Sequence, residues 1–466
     1  MLRTSAIRRL LLLTAVVMAG CTVGPNFENP EMDLPKSFSH EGTQWMRQSP
    51  NARLKSGDWW NLYGDRQLSQ LVELALKQNA TLEVAAARLA QSRAASQEAR
   101  SRYFPNITIG QDARRVKSVF RGPGGGSIHY NSYEVPVEFS YEIDLWGKVR
   151  RQVERAKALE ASAEEQVRAL QLSVAGEVAS TYWALCALDA ERELYARSLK
   201  VRREALDLIG KQRDAGCVSE LDYSRAEAEV ASAQADHMQL DGQRVELVNA
   251  LAVLTGRMLA GVSLPERAVL PAPPRVPISL PSEVLQQRPD VRAALQQVAA
   301  ANANIGVASA AMYPSLSINA NAGVEASEWG NLLRADALVW SLGSNILLPL
   351  TGQKLLRHRR EAARQEHRAI SAEYRQSVIE AVAEVEAAVQ RAAILQRRLE
   401  AQQKAVAAAR SACDKSLKRY EAGLVSFLDV VDAERVRLEA ERGANAIRAE
   451  ALAVSVSLIK AIGGRW

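Results

Sequence analysis

Few residues of this 466-residue chain stand where they could do covalent or metal chemistry. The five histidines, His40, His129, His237, His358 and His367, are scattered; His358 and His367 share a helical stretch but lie nine apart, which is not ligand spacing. Cys21, Cys186, Cys217 and Cys413 form no CxxC pair, so no zinc site is indicated. The cluster Gly122-Pro123-Gly124-Gly125-Gly126 lacks the following Lys-Ser/Thr and the strand-to-helix setting of a phosphate cradle, and reads as a flexible loop. No nucleophile, metal or bound cofactor is expected, and the chain does not read as an enzyme. The acids that draw notice follow two glycines. Ser219-Glu220-Leu221-Asp222, after Gly216, and Ser426-Phe427-Leu428-Asp429, after Gly423, both read as capping boxes with Asp in place of the usual Glu. Capping accounts for Asp222 and Asp429. Asp432 lies one turn further in, where no cap needs it.

Cys21 has a different setting. Arg3, Arg8 and Arg9 form a positive start, Leu10 to Met18 a short apolar run, and the small residues Ala19 and Gly20 precede the cysteine. This is a secretory signal, too short to span a bilayer. Met18-Ala19-Gly20-Cys21 resembles the bacterial lipobox, in which the cysteine becomes the first residue and carries acyl chains; Met18 stands where Leu is usual. Thr22 rather than Asp follows it, which implies sorting to the outer membrane. A covalent lipid on Cys21 is therefore the one attached group expected. The other three cysteines cannot all pair with one another. They are expected as isolated thiols, with a Cys186–Cys413 bridge left open.

Cleavage changes the charge. The whole chain carries 59 basic and 53 acidic residues, a formal +6. Removing three arginines and no acids leaves +3. With no basic run interleaved with aromatics, no nucleic-acid partner is expected. A hydrophobic share of 47% excludes wholesale disorder. The chain also has no apolar run of the roughly 18 residues a spanning helix needs.

The elements that hold these positions repeat. Gly216-Cys217-Val218-Ser219-Glu220-Leu221-Asp222 matches Gly423-Leu424-Val425-Ser426-Phe427-Leu428-Asp429 at an offset of about 207 residues. Gly256 matches Gly463, Tyr103-Phe104-Pro105 matches Met312-Tyr313-Pro314, and Gly147 matches Gly352, at offsets within a few residues of that. The reading is an internal duplication: a signal peptide over 1–20, an extended anchor segment over 21–57, a first repeat over 58–262, a Pro-rich linker over 263–284 and a second repeat over 285–466. No proline occurs between Pro136 and Pro265 or after Pro349, and those windows are rich in Ala, Leu, Glu, Arg and Gln. They predict long helices broken at Gly216 and Gly423, one of them running from about Lys148 to Ala215, roughly 100 Å. Apolar seams are predicted through Leu247, Leu251 and Leu254, and through Leu424, Leu428, Val431 and Leu438.

Between the helices the period changes to two. Tyr133–Glu142 places an apolar or aromatic residue at every odd position, Ser315–Ala322 alternates as well, Trp340–Leu348 does so more weakly, and Ile107 with Ile109 begins a fourth stripe. Each suits a strand of about ten residues, the length of a tilted membrane strand. The expected count is four, two per repeat, with loops at Arg121–Ser127 and Glu325–Asp336. Four strands cannot close a membrane barrel, and an open edge in lipid leaves backbone groups unpaired. If they span a membrane, several copies must share one barrel. Arg150, Arg151, Arg357, Arg359 and Arg360, which follow the last strand of each half, are candidates for lipid-headgroup contact.

Several motifs now combine. Cys21-Thr22-Val23-Gly24-Pro25-Asn26-Phe27, Trp59-Trp60-Asn61-Leu62-Tyr63-Gly64-Asp65, Leu285-Gln286-Gln287-Arg288-Pro289-Asp290, Ala300–Gly306, Tyr313-Pro314-Ser315-Leu316 and Arg419–Gly423 through Arg435 together resemble the TolC-like outer membrane factor family, in its lipoprotein branch of tripartite efflux channels. The resemblance covers nearly the whole mature chain. It implies an α+β membrane protein: a homotrimer with a shared 12-stranded β-barrel, four strands per chain, continuous with a long periplasmic α-helical coiled-coil barrel. It implies partners too: a periplasmic adaptor, an inner-membrane pump, most often of the resistance-nodulation-division class, and outer-membrane lipid.

Mechanism then rests on a periplasmic gate. By resemblance, Leu428, Asp432 and Arg435 match gate positions, while Tyr420, Asp429 and Asp222 match partners in closing contacts. Three-fold symmetry would gather three copies of Asp432, and carboxylate rings are a common gating device. Gly216, Val218, Ser219, Gly423, Val425 and Ser426 match the adaptor-docking surface. Leu424-Val425 stands where some relatives carry a basic residue, so a salt link there is absent. The function expected is a passive gated duct for drugs or small toxic compounds; protein export by a type I system, heavy-metal efflux and a structural periplasmic rod or adhesin are the alternatives.

Overall fold

A computed structural model describes residues 22–32, 58–120, 125–258, 264–267, 269–274, 276 and 287–464. The signal segment, Cys21 and most of the anchor segment lie outside the described residues, as do half of the Pro-rich linker and Gly122 to Gly124. The described helices are α1 (Arg66–Gln78), α2 (Ala80–Ser101), α3 (Lys148–Asp214), α4 (Glu220–Leu254), α5 (Pro289–Ala310), α6 (Gln353–Glu421) and α7 (Phe427–Ala461). The strands are β1 (Asn106–Ile109), β2 (Asp112–Phe120), β3 (Gly126–Ile143), β4 (Ser315–Ala326) and β5 (Leu338–Leu347). Among the described residues no helix is long and apolar enough to cross a membrane.

The duplication is visible in the helix lengths. α2 and α5 each have 22 residues, α3 and α6 have 67 and 69, and α4 and α7 have 35 each. Their starts are displaced by 209, 205 and 207 residues, the spacings of the sequence repeat. The chain folds as two compact units, and each draws on both repeats. The first comprises the described residues of Met1–Glu31, Arg88–Glu164 and Ala293–Arg375; the second those of Met32–Ala87, Glu165–Arg292 and Gln376–Trp466.

The first unit holds the sheet, in the order β1-β3-β4-β5, with β2 also paired to β3 and every pairing antiparallel. Five strands stand where four were expected, and the extra one has a physical cause. β1 pairs Asn106 with Ser140 and β2 pairs Asp112 with Glu134, so both keep one register on β3. The ladder breaks at Gly110, whose N–H bonds the Pro136 carbonyl at 3.0 Å. Pro136 has no N–H to return, so the pair is half made. β3 is also longer than the ten residues expected. It has 18, and Gly126 and Ser127, read as loop, belong to it. Its Gly126–Ser132 part pairs with β2 alone, as a two-stranded ribbon. At the other expected loop, β4 runs to Ala326, and short 3-10 turns at Trp329–Asn331 and Ala335–Ala337 lead into β5.

Register assigns the side chains to two faces. One carries Ile107, Ile109, Tyr133, Val135, Val137, Phe139, Tyr141 and Ile143 beside the even positions Leu316 to Val324 of β4 and Leu338, Trp340, Leu342 and Ile346 of β5. The other carries Glu134, Glu138, Ser140, Glu142, Asn319, Asn321 and Glu325. Polar partners meet across it. Ser132 donates to Glu134 and Glu325 at 3.0 and 3.4 Å, and Ser140 to Asn319 at 3.1 Å.

Below the sheet's β3–α3 connection the described N-terminal segment is clamped. Val23 N–H bonds the Trp146 carbonyl at 3.1 Å, and Asn302 donates to the Pro25 carbonyl at 3.1 Å. Arg151 donates to Asn26 at 2.9 Å and to Glu154 at 2.8 Å. Gly24, at φ 101°, lies against the backbone of Gly306, and the Arg151 side chain crosses that same glycine. Arg151 is therefore buried in a protein contact rather than free for lipid headgroups. Arg150 is exposed and pairs with Glu154 at 3.5 Å.

The second unit is built on aromatic and aliphatic residues from the 3-10 turn at Trp59–Tyr63 and from α1, α3, α4, α6 and α7. Trp59, Trp60, Tyr182, Trp183, Leu251, Val385, Leu452 and Ile459 are all buried in one cluster. Burying each large apolar side chain contributes about 1.5–3 kcal/mol. Leu247 and Leu254 pack on it as the seam predicts. The second seam holds only in part. Leu438 packs on Leu188, Tyr195 and Leu240, but Leu424 lies in the turn before α7, and it and Leu428 are exposed. Asp65 caps α1 by accepting from Gln67 and Leu68 N–H, and also accepts from Tyr182 and Arg267, so a buried carboxylate is fully partnered.

Candidate gate at the helix-hairpin turns

Gly216 joins α3 to α4 and Gly423 joins α6 to α7. Their φ angles are 73° and 72°. A Cβ would meet nothing within 4 Å at either, so glycine is required for the left-handed backbone and not for space. The two turns make the same bonds. Gly216 and Cys217 N–H reach the carbonyls of Arg213 and Gln212, and Gly423 and Leu424 N–H those of Tyr420 and Arg419, all at 2.8–2.9 Å. Both expected capping boxes are present. Ser219 Oγ donates to Asp222 at 2.6 Å, and Ser426 N–H and Oγ donate to Asp429 at 2.9 and 2.7 Å. These serine bonds hold both carboxyls below the usual aspartate range.

The other candidates fall into two groups. Leu428, Asp432 and Arg435, spaced four and three, share one exposed face of α7, where Arg435 donates to Asp432 at 3.0 Å. Tyr420 lies at the end of α6. Among the described residues its hydroxyl makes no hydrogen bond to Asp222 or Asp429, although the Asp222 charge is close enough to act on it. Its hydroxyl donates to Gln212 at 3.1 Å and its ring stands edge-on to Phe427 at 5.9 Å. Burial raises the Tyr420 hydroxyl above its ordinary range, so it stays a donor. Gly216, Ser219, Gly423 and Ser426 are exposed, and Val218 and Val425 half-buried, at the turns themselves. Cys21 lies outside the described residues.

Three features went unread in the sequence. Gln212 is one; it precedes Arg213, the repeat counterpart of Tyr420, and that correspondence was the available signal. A second is the Arg213 guanidinium, 4.0 Å above the Tyr223 ring. The third is buried below the second turn: the Cys413 thiol donates to Glu434 at 3.0 Å, and Glu434 also accepts from Arg437 at 2.5 Å. Cys186, Cys217 and Cys413 are all free, so the Cys186–Cys413 bridge is absent.

Two of the motifs that resembled one family meet in space, Gly24-Pro25-Asn26 with Asn302 and Gly306, and a third, Tyr313-Pro314, packs on Trp146, the rings stacked at 4.8 Å. Comparison with known proteins agrees. The toluene efflux pump outer membrane protein TtgC of Pseudomonas putida is 30% identical, over 98% of this chain and 95% of its own. The pyoverdine export outer membrane protein OpmQ of the same species is 30% identical, over 90% and 91%. The solved outer-membrane channel OprN superposes with a TM-score of 0.89 at 30% identity, over 95% of this chain and 99% of that one. The family model described as outer membrane efflux protein matches twice, over residues 71–257 and 280–464. Two tandem matches on a duplicated helix-and-strand fold place this chain in the outer membrane efflux protein family, as an outer-membrane channel.

Proposed function

We propose that three copies of this chain pool their sheets into one closed 12-stranded barrel, continuous with a periplasmic helical barrel, and form a passive gated duct. An inner-membrane pump of the resistance-nodulation-division class would drive it through a periplasmic adaptor, and acyl chains on Cys21 would anchor it. The two-faced sheet carries this reading. Its apolar face suits lipid, its Glu- and Asn-rich face suits a water-filled lumen, and its outer strands, β1 with β2 on one side and β5 on the other, each have one edge unpaired among the described residues. Unpaired edges in lipid cost several kcal/mol per polar group, and pairing with further copies removes them. Tyr133 to Ile143 is eleven residues, ten steps of the strand, or roughly 33 Å. Tilted by about 40°, that rises roughly 25 Å, the height of a membrane barrel's apolar band.

The gate is assigned to Leu428, Asp432 and Arg435 on α7, with Tyr420, Asp429 and Asp222 restraining the turns. The adaptor surface is assigned to Gly216, Val218, Ser219, Gly423, Val425 and Ser426. The cargo is small organic compounds; relatives named for toluene and for pyoverdine support a duct that leaves selection to its pump. The test is the purified full-length mature protein in planar bilayers. A heat-modifiable trimer with discrete conductance steps is expected. A monomer without conductance would refute the shared barrel.

A further inference from the structure

The ribbon formed by β2 and the first part of β3 reverses the two faces of the sheet. Opposite pairs share a face, so Arg115 with Asn131 and Lys117 with His129 continue the face that carries Tyr133, Val135 and Val137. Val116 with Tyr130 and Ser118 with Ile128 continue the face that carries Glu134 and Glu138. The change falls at Ser132 and Tyr133. There the Tyr133 ring meets Trp329 edge-on at 5.5 Å, an aromatic pair at the end of the apolar band. Arg115 lies two residues beyond Tyr133's partner Ala113, and Lys117 four, or roughly 7 and 13 Å further along the strand.

Both cations are exposed, and neither makes an ion pair among the described residues. Arg114, just before Arg115 in the strand, points to the opposite face and is held by Asp112. Among the described residues of the ribbon, their own face carries no acid. The nearby acids of the β4–β5 loop are engaged within that loop: Asp336 with Arg334 at 3.5 Å, and Glu328 with Asn331 at 3.2 Å. An apolar band closed by aromatics and followed on the same face by unpaired cations is what a protein presents where hydrocarbon gives way to anionic headgroups.

We propose that Arg115 and Lys117, flanked by His129 and Asn131, form a binding surface for the phosphate groups of a phosphorylated glycolipid in the outer leaflet, repeated on each copy around the barrel. This rests on the shared-barrel reading, which sets that face toward lipid. Positive charge there would fix the barrel's height in the membrane. The ribbon would also be held upright by the lipid on its outer side, leaving Tyr130 and Ile128 to the lumen side.

Native mass spectrometry of the full mature protein, titrated with diphosphoryl lipid A or its phosphate-free form, tests this. The wild-type trimer should hold diphosphoryl lipid A about 30-fold more tightly than the Arg115→Ala/Lys117→Ala variant, roughly five-fold per cation. Both should bind the phosphate-free lipid equally, and Arg114→Ala should match wild type. Equal affinity of wild type and double variant for diphosphoryl lipid A, both as trimers, would overturn the proposal. Displacement of the lipid by excess inorganic phosphate would overturn it too, marking a general anion site. Absence of trimers in the wild-type spectra would instead defeat the barrel reading beneath it.

Discussion

Tyr420, at the end of α6, donates its hydroxyl to the side chain of Gln212, near the end of α3, across 3.1 Å. The two residues are 208 apart in sequence and belong to different repeats. The bond therefore ties the second helix hairpin to the first, next to both left-handed glycines. Each hairpin is also closed on itself by its capping box, so the caps hold the turns and the tyrosine joins them.

Tyr420→Phe keeps the ring on Phe427 and removes only that tie. A single hydrogen bond of this kind is worth about 1 kcal/mol, or roughly a five-fold change in an equilibrium. If the gate opens by moving one hairpin against the other, open probability in planar bilayers should rise about five-fold. Gln212→Leu should do the same, and the double variant should add nothing. Unchanged open probability in both single variants would remove the bond from the gate.

Asp432 and Arg435 pair across an exposed helix face, where such pairs stabilise little. Asp432→Ala should therefore leave the melting temperature unchanged, while raising conductance and sensitising cells to large antibiotics. Arg435→Ala frees the carboxylate and should increase preference for cations. Unaltered conductance of Asp432→Ala in an intact trimer would return Asp432 to the solvated surface.

Local chemistry was legible in the sequence and distant pairing was not. The long helices announce themselves by the absence of proline, their stops by glycine followed by a capping serine, and the duplication by offsets that the helix starts repeat. The strands in the apolar band show their period of two. The ribbon did not, because beyond Tyr133 the polar His129 and Asn131 occupy the apolar register and the alternation reads as ended. The break between β1 and β2 had a visible cause in Pro136, but the residue opposite a proline is fixed only by register. Arg151 looked like a headgroup contact because nothing local points to Asn26, 125 residues earlier. Tyr420 and Gln212 were hidden in the same way.

Burial pushes the thiols of Cys186 and Cys413 up to about 12, so both remain protonated and unreactive across ordinary pH. Cys217 is exposed at the first turn. A maleimide reagent near neutral pH should therefore label the folded, acylated protein at Cys217 alone. After denaturation it should label Cys186 and Cys413 as well. Labelling that stays confined to Cys217 after denaturation would indicate the bridge that the free thiols argue against.

Four glycines with positive φ separate backbone geometry from space. Gly216 and Gly423 sit in the open, whereas a Cβ at Gly256 would overlap the Gln78 carbonyl and one at Gly463 would crowd the Gln287 carbonyl at 2.8 Å. Alanine at Gly216 or Gly423 adds only the left-handed backbone penalty, roughly 1–2 kcal/mol. At Gly256 or Gly463 the same penalty is joined by a clash with backbone, which cannot rotate away as a side chain can. Gly256→Ala and Gly463→Ala should therefore lower the melting temperature well beyond Gly216→Ala and Gly423→Ala, and by similar amounts, since the two sites are counterparts in the repeat. Scanning calorimetry of the four variants would decide it. Equal losses at all four sites would mean that φ alone sets the requirement, and that the close approach to Gln78 and Gln287 relaxes without cost.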